Sequence, residues 1–349
     1  MKKILLILFI ILLPLNVFAD SGHSTIVMDN DSGRILYSNN INSKMLIAST
    51  TKIMTCMVTI ENISLNKKIT VGDEVNKMYG TNIYIKEGEI LTVKDLLYGL
   101  MLRSGNDAAI VLSKNVFGSY EEFIKKMNEK AEQIGMKNTL FLNPHGLDDD
   151  TKNYSTSYDM ALLARYSYKN KIFKKIISTK RYVTKSNLKS YDWYNRMNLI
   201  NNYKYCVGGK NGYTPIAGKS LVSYSSKDNL NLLIVSLDDN DIYENHKNLY
   251  NYYFNKYKNY NIVDKDKFKI DKSLVDMDLY IKESFTYPLM DDELNDVSTI
   301  IQINNSGKDI GRIIIKLDNK IIGTVKIYKR EKKKEDKNIF HRIKKLFIW

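Results

Sequence analysis

The stretch Leu46–Val58, LIASTTKIMTCMV, sets Ser49 and Lys52 three residues apart inside an otherwise apolar run. Taking a lysine charge out of water is costly, so this placement needs a reason. On a helix, residues three apart share a face, which brings Ser49 Oγ and Lys52 Nζ within reach of each other. A free lysine titrates near 10.4, so only about one in two thousand is unprotonated at neutral pH. Desolvation and a second nearby cation lower that value and turn the amine into a proton acceptor for the hydroxyl. Alone, S-x-x-K is a weak pattern, because a helix whose lysine reaches out to solvent carries it too.

Two further elements give it company. MLRSGNDAA supplies Ser104-Gly105-Asn106 at the start of an expected helix, and GGKNGYTPIAGKSLV supplies Lys210-Asn211-Gly212 entering an expected strand. Their order and spacing match the S-x-x-K, S-x-N and K-T-G set of penicillin-recognising enzymes. With NPHGLDDDTKNYSTSYDMALLARY, YIKEGEILTVKDLLYGLMLRSGNDAA and YTPIAGKSLV, the chain from Ser24 to Asp238 resembles the low-molecular-mass penicillin-binding proteins that act as serine-type D-alanyl-D-alanine carboxypeptidases.

That resemblance implies an α+β fold of the β-lactamase/transpeptidase type, followed by a small all-β domain. It also implies roles. Ser49 would attack the carbonyl between the last two D-alanines of a peptidoglycan stem peptide and form an acyl-enzyme, with Lys52 as base. Ser104 would relay a proton to the leaving amine, and Asn106 would hold Lys52 and the substrate amide. Lys210, Asn211, Gly212, Tyr213 and Thr214 would form the substrate-binding strand: Lys210 draws the terminal carboxylate, and the N–H groups of Ser49 and Tyr213 make the oxyanion hole. The partners implied are the stem peptide ending in D-Ala-D-Ala and β-lactam antibiotics. No metal and no cofactor are called for.

Two positions depart from the family pattern. Asn211 stands where threonine is usual, which admits a weakly active or non-catalytic penicillin-binding module as an alternative. Asn153 stands where histidine is frequent, at a helix cap that tolerates either. A β-lactamase is the other alternative, but a class A enzyme carries a glutamate in an E-x-x-x-N loop, and no such spacing occurs between Asn106 and Lys210.

The ends of the chain bear on location. Lys2 and Lys3 lead into the apolar run Ile4–Leu15, and Val17-Phe18-Ala19 has the small-residue spacing of a cleavage site, so residues 1–19 read as a secretion signal. The formal net charge is +14, and residues 329–345 hold nine Lys or Arg against three acids. In NIFHRIKKLFIW, Ile339, Phe340, Ile343, Leu346 and Phe347 share one helical face opposite Arg342, Lys344 and Lys345, the pattern of a basic amphipathic helix lying on a membrane surface. No nucleic-acid motif accompanies this charge. The expected domains are thus the signal (1–19), a catalytic domain (20–262), a β-rich domain (263–329) and the membrane-associated tail (330–349).

Hairpins are expected where STIVMDNDSGRILYSNN turns at Asn-Asp-Ser-Gly, where SLVSYSSKDNLNLLIVSL turns at Lys227–Asn229, and at Asp318-Asn319. Thr92, Ser119 and Ser155 read as helix N-caps, Glu122 as the partner of Ser119 in a capping box, and Gly135 as the end of that helix. Strands first and last with helices between predict an antiparallel sheet against a helical cluster. Cys56 and Cys206 read as small buried residues, a bridge between them being the alternative. His145 in NPHG reads as a turn residue, and Asp148-Asp149-Asp150 as a solvated turn.

Overall fold

A five-stranded antiparallel sheet organises the catalytic half. Its strands are β1 (Ser24–Asp29), β2 (Ile35–Asn39), β3 (Cys206–Thr214), β4 (Gly218–Lys227) and β5 (Leu230–Leu237). They lie in the order β2-β1-β5-β4-β3. The computed structural model describes residues 24–270, 277–304 and 309–330. The secretion signal and the tail beyond residue 330 lie outside these.

The first and last strands are neighbours, with Ser24 opposite Leu237 and Asp29 opposite Leu232. Both are buried along almost their whole length, which accounts for their nearly continuous β-branched and aliphatic composition. The turns fall where expected. Gly33 takes φ +81° in the first hairpin, and Asp228 and Asn229 both take positive φ between β4 and β5. Two consecutive left-handed residues match the twist of paired strands, and Asp and Asn tolerate that region better than other side chains.

Among the described residues, six helices of seven or more residues, with a short one at Leu199–Asn202, fill the sequence between β2 and β3: α1 (Lys52–Asn62), α2 (Val93–Leu102), α3 (Asn106–Val116), α4 (Tyr120–Ile134), α5 (Ser157–Tyr168) and α6 (Lys171–Ile177). α1 is the hub, buried from Lys52 to Thr59 and packed against the other five. A helix covered on all sides needs apolar residues all round, and IMTCMV supplies them. Cys56 lies buried there; both cysteines are free.

The caps follow the sequence with two corrections. Thr92 and Asp95 form a reciprocal capping box on α2. Ser119 Oγ accepts from Glu122 N at 3.1 Å, but the Glu122 carboxylate turns to Lys125 and Lys126, so only half of the expected box forms. The cap of α5 is Thr156, not Ser155: Thr156 accepts from Asp159 N, while Ser155 Oγ lies 2.7 Å from Thr139 Oγ1. Gly135 ends α4 at φ +91° as expected.

A second compact unit runs from Phe254 onward and includes Asp228–Leu230. It holds a four-stranded sheet in the order Leu279–Ile281, Lys320–Lys329, Asp309–Leu317, Val297–Ile303, and a two-stranded pair, Lys258–Val263 with Phe285–Leu289. Asp318 and Asn319 again turn with positive φ. Its core includes Ile281, Ile313, Ile315 and Ile327. The division falls at Tyr253/Phe254 and not at residue 262, because the strand Lys258–Val263 pairs with Phe285–Leu289 and so belongs to the later unit. No helix among the described residues is long and apolar enough to cross a membrane.

Candidate active site

Ser49 lies in a short 3-10 turn, Ala48–Thr51, that runs straight into α1 at Lys52. In a 3-10 turn residues i and i+3 eclipse, which aims both side chains the same way. The backbone is strained just before the nucleophile position: Ala48 sits at φ +44°. Neighbouring chain holds it there. A Cβ built on Gly146, itself at φ +88°, would stand 1.9 Å from Ala48 O, so only glycine lets that loop close against the turn.

Lys52 is fully buried and has three partners. Its Nζ lies 2.9 Å from Ser49 Oγ, 2.8 Å from Asn106 Oδ1 and 2.6 Å from the His145 carbonyl oxygen. A neutral amine has two N–H donors and one lone pair. The amide and peptide oxygens can only accept, so they take both donors and leave the lone pair to the Ser49 hydroxyl. Burial pushes the Lys52 pKa well below its usual value, the Lys210 charge adds to this, and Asp107 opposes it.

Asn106 is held from both ends. Its Nδ2 donates to Tyr79 O at 2.8 Å, which fixes Oδ1 towards Lys52. The loop beyond Tyr79 is ordered by Asp107, whose buried carboxylate accepts from the N–H groups of Ile83, Ile85 and Ala108. Burial nonetheless raises the Asp107 pKa.

Lys210 extends from β3, 1% exposed, with its Nζ 2.5 Å from Asn211 O and no ion pair to an acid among the described residues. Burial and the Arg196 charge lower its pKa to about 7. β3 is an edge strand, and at Gly212 its backbone lies directly against the Ser49 turn: an added Cβ would be 2.8 Å from Ser49 N. Tyr213 projects into solvent, 63% exposed. The Asn211 carboxamide makes no hydrogen bond within the described residues. Ser104, half-buried at the α2–α3 junction, takes φ +64°, and its hydroxyl likewise has no partner there.

Hydrogen bonds thus join Ser49, Lys52 and Asn106, with Lys210 and Gly212 beside them and Ser104 next in the chain. Thr214 does not join them. It is buried, and its hydroxyl donates to Asp148 at 2.5 Å and accepts from Ala217 N at 2.9 Å, so the hydroxyl is committed to the β3–β4 turn. The same contact corrects the reading of the acidic run: Asp148 is buried, and Asp149 accepts from Tyr79 OH. His145 is a turn residue whose ring burial and Lys52 hold at about pKa 3. Its contribution is a carbonyl, which residue type does not advertise. Asn153, buried, bridges Thr51 Oγ1 and the Asn143 carbonyl, so the position fixes the loop that carries His145.

The family described as D-alanyl-D-alanine carboxypeptidase matches residues 17–241. The chain belongs to that family. Among its carboxypeptidase relatives, DacF of Bacillus subtilis is 28% identical over 342 residues, covering 91% of this chain and 87% of that protein. A D-alanyl-D-alanine carboxypeptidase of Streptomyces is 34% identical over 214 residues, covering 56% and 73%. Penicillin binding protein 5 of Haemophilus influenzae superposes with a TM-score of 0.74 over 89% of this chain and 97% of that one; at 24% identity this speaks for the shared carboxypeptidase fold. Among the described residues no group of His, Cys, Asp or Glu side chains could hold a metal ion.

Proposed function

We propose that this chain removes the terminal D-alanine from peptidoglycan stem peptides through an acyl-enzyme on Ser49, and that penicillin acylates the same hydroxyl. The observation that carries the reading is the placement of Lys52, buried, with its Nζ against Ser49 Oγ, Asn106 Oδ1 and the His145 carbonyl oxygen; as a neutral amine it would give its two N–H groups to the last two and keep its lone pair for Ser49 Oγ. Ser49 Oγ attacks the scissile carbonyl carbon as its proton passes to Lys52 Nζ. Charge then developing on the carbonyl oxygen falls beside the N–H groups of Ser49 and Tyr213. The proton returns through the Ser104 hydroxyl to the leaving amine, D-alanine departs, and water hydrolyses the Ser49 ester. Lys210 and the Asn211 carboxamide hold the substrate carboxylate.

Residues 1–19 direct export, and the basic amphipathic tail holds the enzyme at the outer face of the cytoplasmic membrane. The sequence pattern at the two ends supports this reading. Purified protein is expected to release D-alanine from a peptide ending in D-Ala-D-Ala, and Ser49→Ala to stop it. Release by that variant at the wild-type rate would remove Ser49 from the mechanism. Deleting residues 330–349 is expected to move the protein from vesicles of anionic lipid into solution.

A further inference from the structure

The strand Val297–Ile303, VSTIIQI, forms one edge of the four-stranded sheet in the second unit. It pairs with Asp309–Leu317 through seven consecutive residues, from Val297 opposite Leu317 to Ile303 opposite Gly311, with no bulge. Edge strands are normally protected by a charge, a proline, a bulge or a cover, because their free N–H and C=O groups invite another strand. This strand has none of the first three, and Ile300 and Ile301 are 42% and 47% exposed.

The edge also borders an opening. A trough of about 440 Å³ opens beside Thr299 and Ile301, and its lining is mixed: Ile262, Phe268 and Ile313 share it with Asp264 and Lys267. A strand added to this edge would gain main-chain hydrogen bonds and place every second side chain at the trough, the two requirements of recognition by strand addition.

We propose that the occupant is the same strand of a second copy, paired antiparallel about a twofold axis at Ile300. Antiparallel pairing keeps opposed residues on a common face. In this register each Ile301 stands beside Thr299 of the second copy and adds to the aliphatic side chains that line part of its trough. The two Ile300 side chains cover each other on the opposite face. Charge favours the same arrangement. Asp291, Asp292, Glu293 and Asp296 all precede the strand, so antiparallel pairing keeps the acidic clusters at opposite ends, with each Asp296 facing Asn304; parallel pairing would set them side by side. An interface of one strand pair is small, so association falls in the weak, concentration-dependent class.

Sedimentation of the purified chain at rising concentration tests this, with Ile300→Lys as the variant. The wild type should pass from monomer to dimer, and the exposed Ile300→Lys substitution should weaken association at least tenfold while D-alanine release per chain stays the same. In a Cys206→Ser background, Ile300→Cys should form a disulfide-linked dimer under mild oxidation. Ser298→Cys should do so only when mixed with Gln302→Cys, the residue it faces. A wild type that stays monomeric throughout would overturn the proposal and leave the edge to a different protein. Undiminished dimerisation of Ile300→Lys would overturn it too, as would self-linking of Ser298→Cys at the rate of Ile300→Cys.

Discussion

Gly212 lies so close to Ser49 that a Cβ on the glycine would be 2.8 Å from the serine's backbone nitrogen. The edge strand and the 3-10 turn are therefore in backbone-to-backbone contact, and the N–H groups available to an oxyanion are set by that contact. Real Cβ atoms do not approach so near, and the obstacle is main chain rather than a side chain that could swing aside. Gly212→Ala should push the turn away and lower the acylation rate by about 100-fold, the scale of one lost oxyanion donor. Burst measurements with penicillin would show it, beside a fall in melting temperature from the same clash.

Asn211 makes a different kind of prediction. Its carboxamide has no hydrogen bond within the described residues, so it is free to meet the substrate carboxylate, but its NH₂ is carried further from the backbone than a threonine hydroxyl. A charged hydrogen bond is worth roughly 1.5 to 3 kcal/mol. Asn211→Thr is expected to raise kcat/KM for a D-Ala-D-Ala peptide by about tenfold or more. No change would mean that the amide already makes the contact.

Thr214 and Asp148 set up a stability effect separate from activity. Thr214→Val would leave the buried Asp148 carboxylate without its hydroxyl donor, at a cost of about 2 kcal/mol. The melting temperature should fall by several degrees while KM moves little. A large rise in KM at unchanged stability would place the Thr214 hydroxyl at the substrate instead.

The depressed pKa of Lys210 has a direct consequence for stability against pH. Below about 7 the lysine is protonated in both the folded and unfolded chain; between about 7 and its ordinary value near 10.4 the unfolded chain binds the extra proton. Stability from this group therefore rises with pH across that window, and the burial penalty is felt most below it. Lys210→Met should raise the melting temperature by a few degrees at pH 6 and by less at pH 10, while abolishing carboxylate recognition. Equal effects at both pH values would show that the lysine keeps its charge.

Much of this was legible beforehand, and the reason differs from residue to residue. Ser49, Lys52, Asn106 and Lys210 announce themselves because their side chains are the groups the proposed chemistry needs, and Asp228-Asn229 and Asp318-Asn319 because few residues tolerate their backbone. The His145 and Tyr79 carbonyls were not legible: every residue has one, and only the fold decides which are aimed at Lys52 and Asn106. Asp148 looked solvated because it stands among acids; its burial depends on Thr214, distant in sequence. Ser155 and Thr156 are both competent caps, and the choice fell to Ser155's partner, Thr139. The half-formed box at Ser119 reflects Lys125 and Lys126 competing for Glu122. Asp107 was the one available signal passed over: an acid one position past Asn106 at a helix start is placed to order the loop before it.

The central claim is that Lys52 is neutral at working pH and takes the Ser49 proton. The pH dependence of Ser49 acylation by penicillin, followed by intact mass with the modified peptide mapped, tests it most directly. A neutral Lys52 predicts a rate already at its plateau near neutrality and falling only on the acid side, where Lys52 gains a proton. A rate that keeps climbing about tenfold per pH unit towards 10, as an ordinary lysine would give, contradicts it.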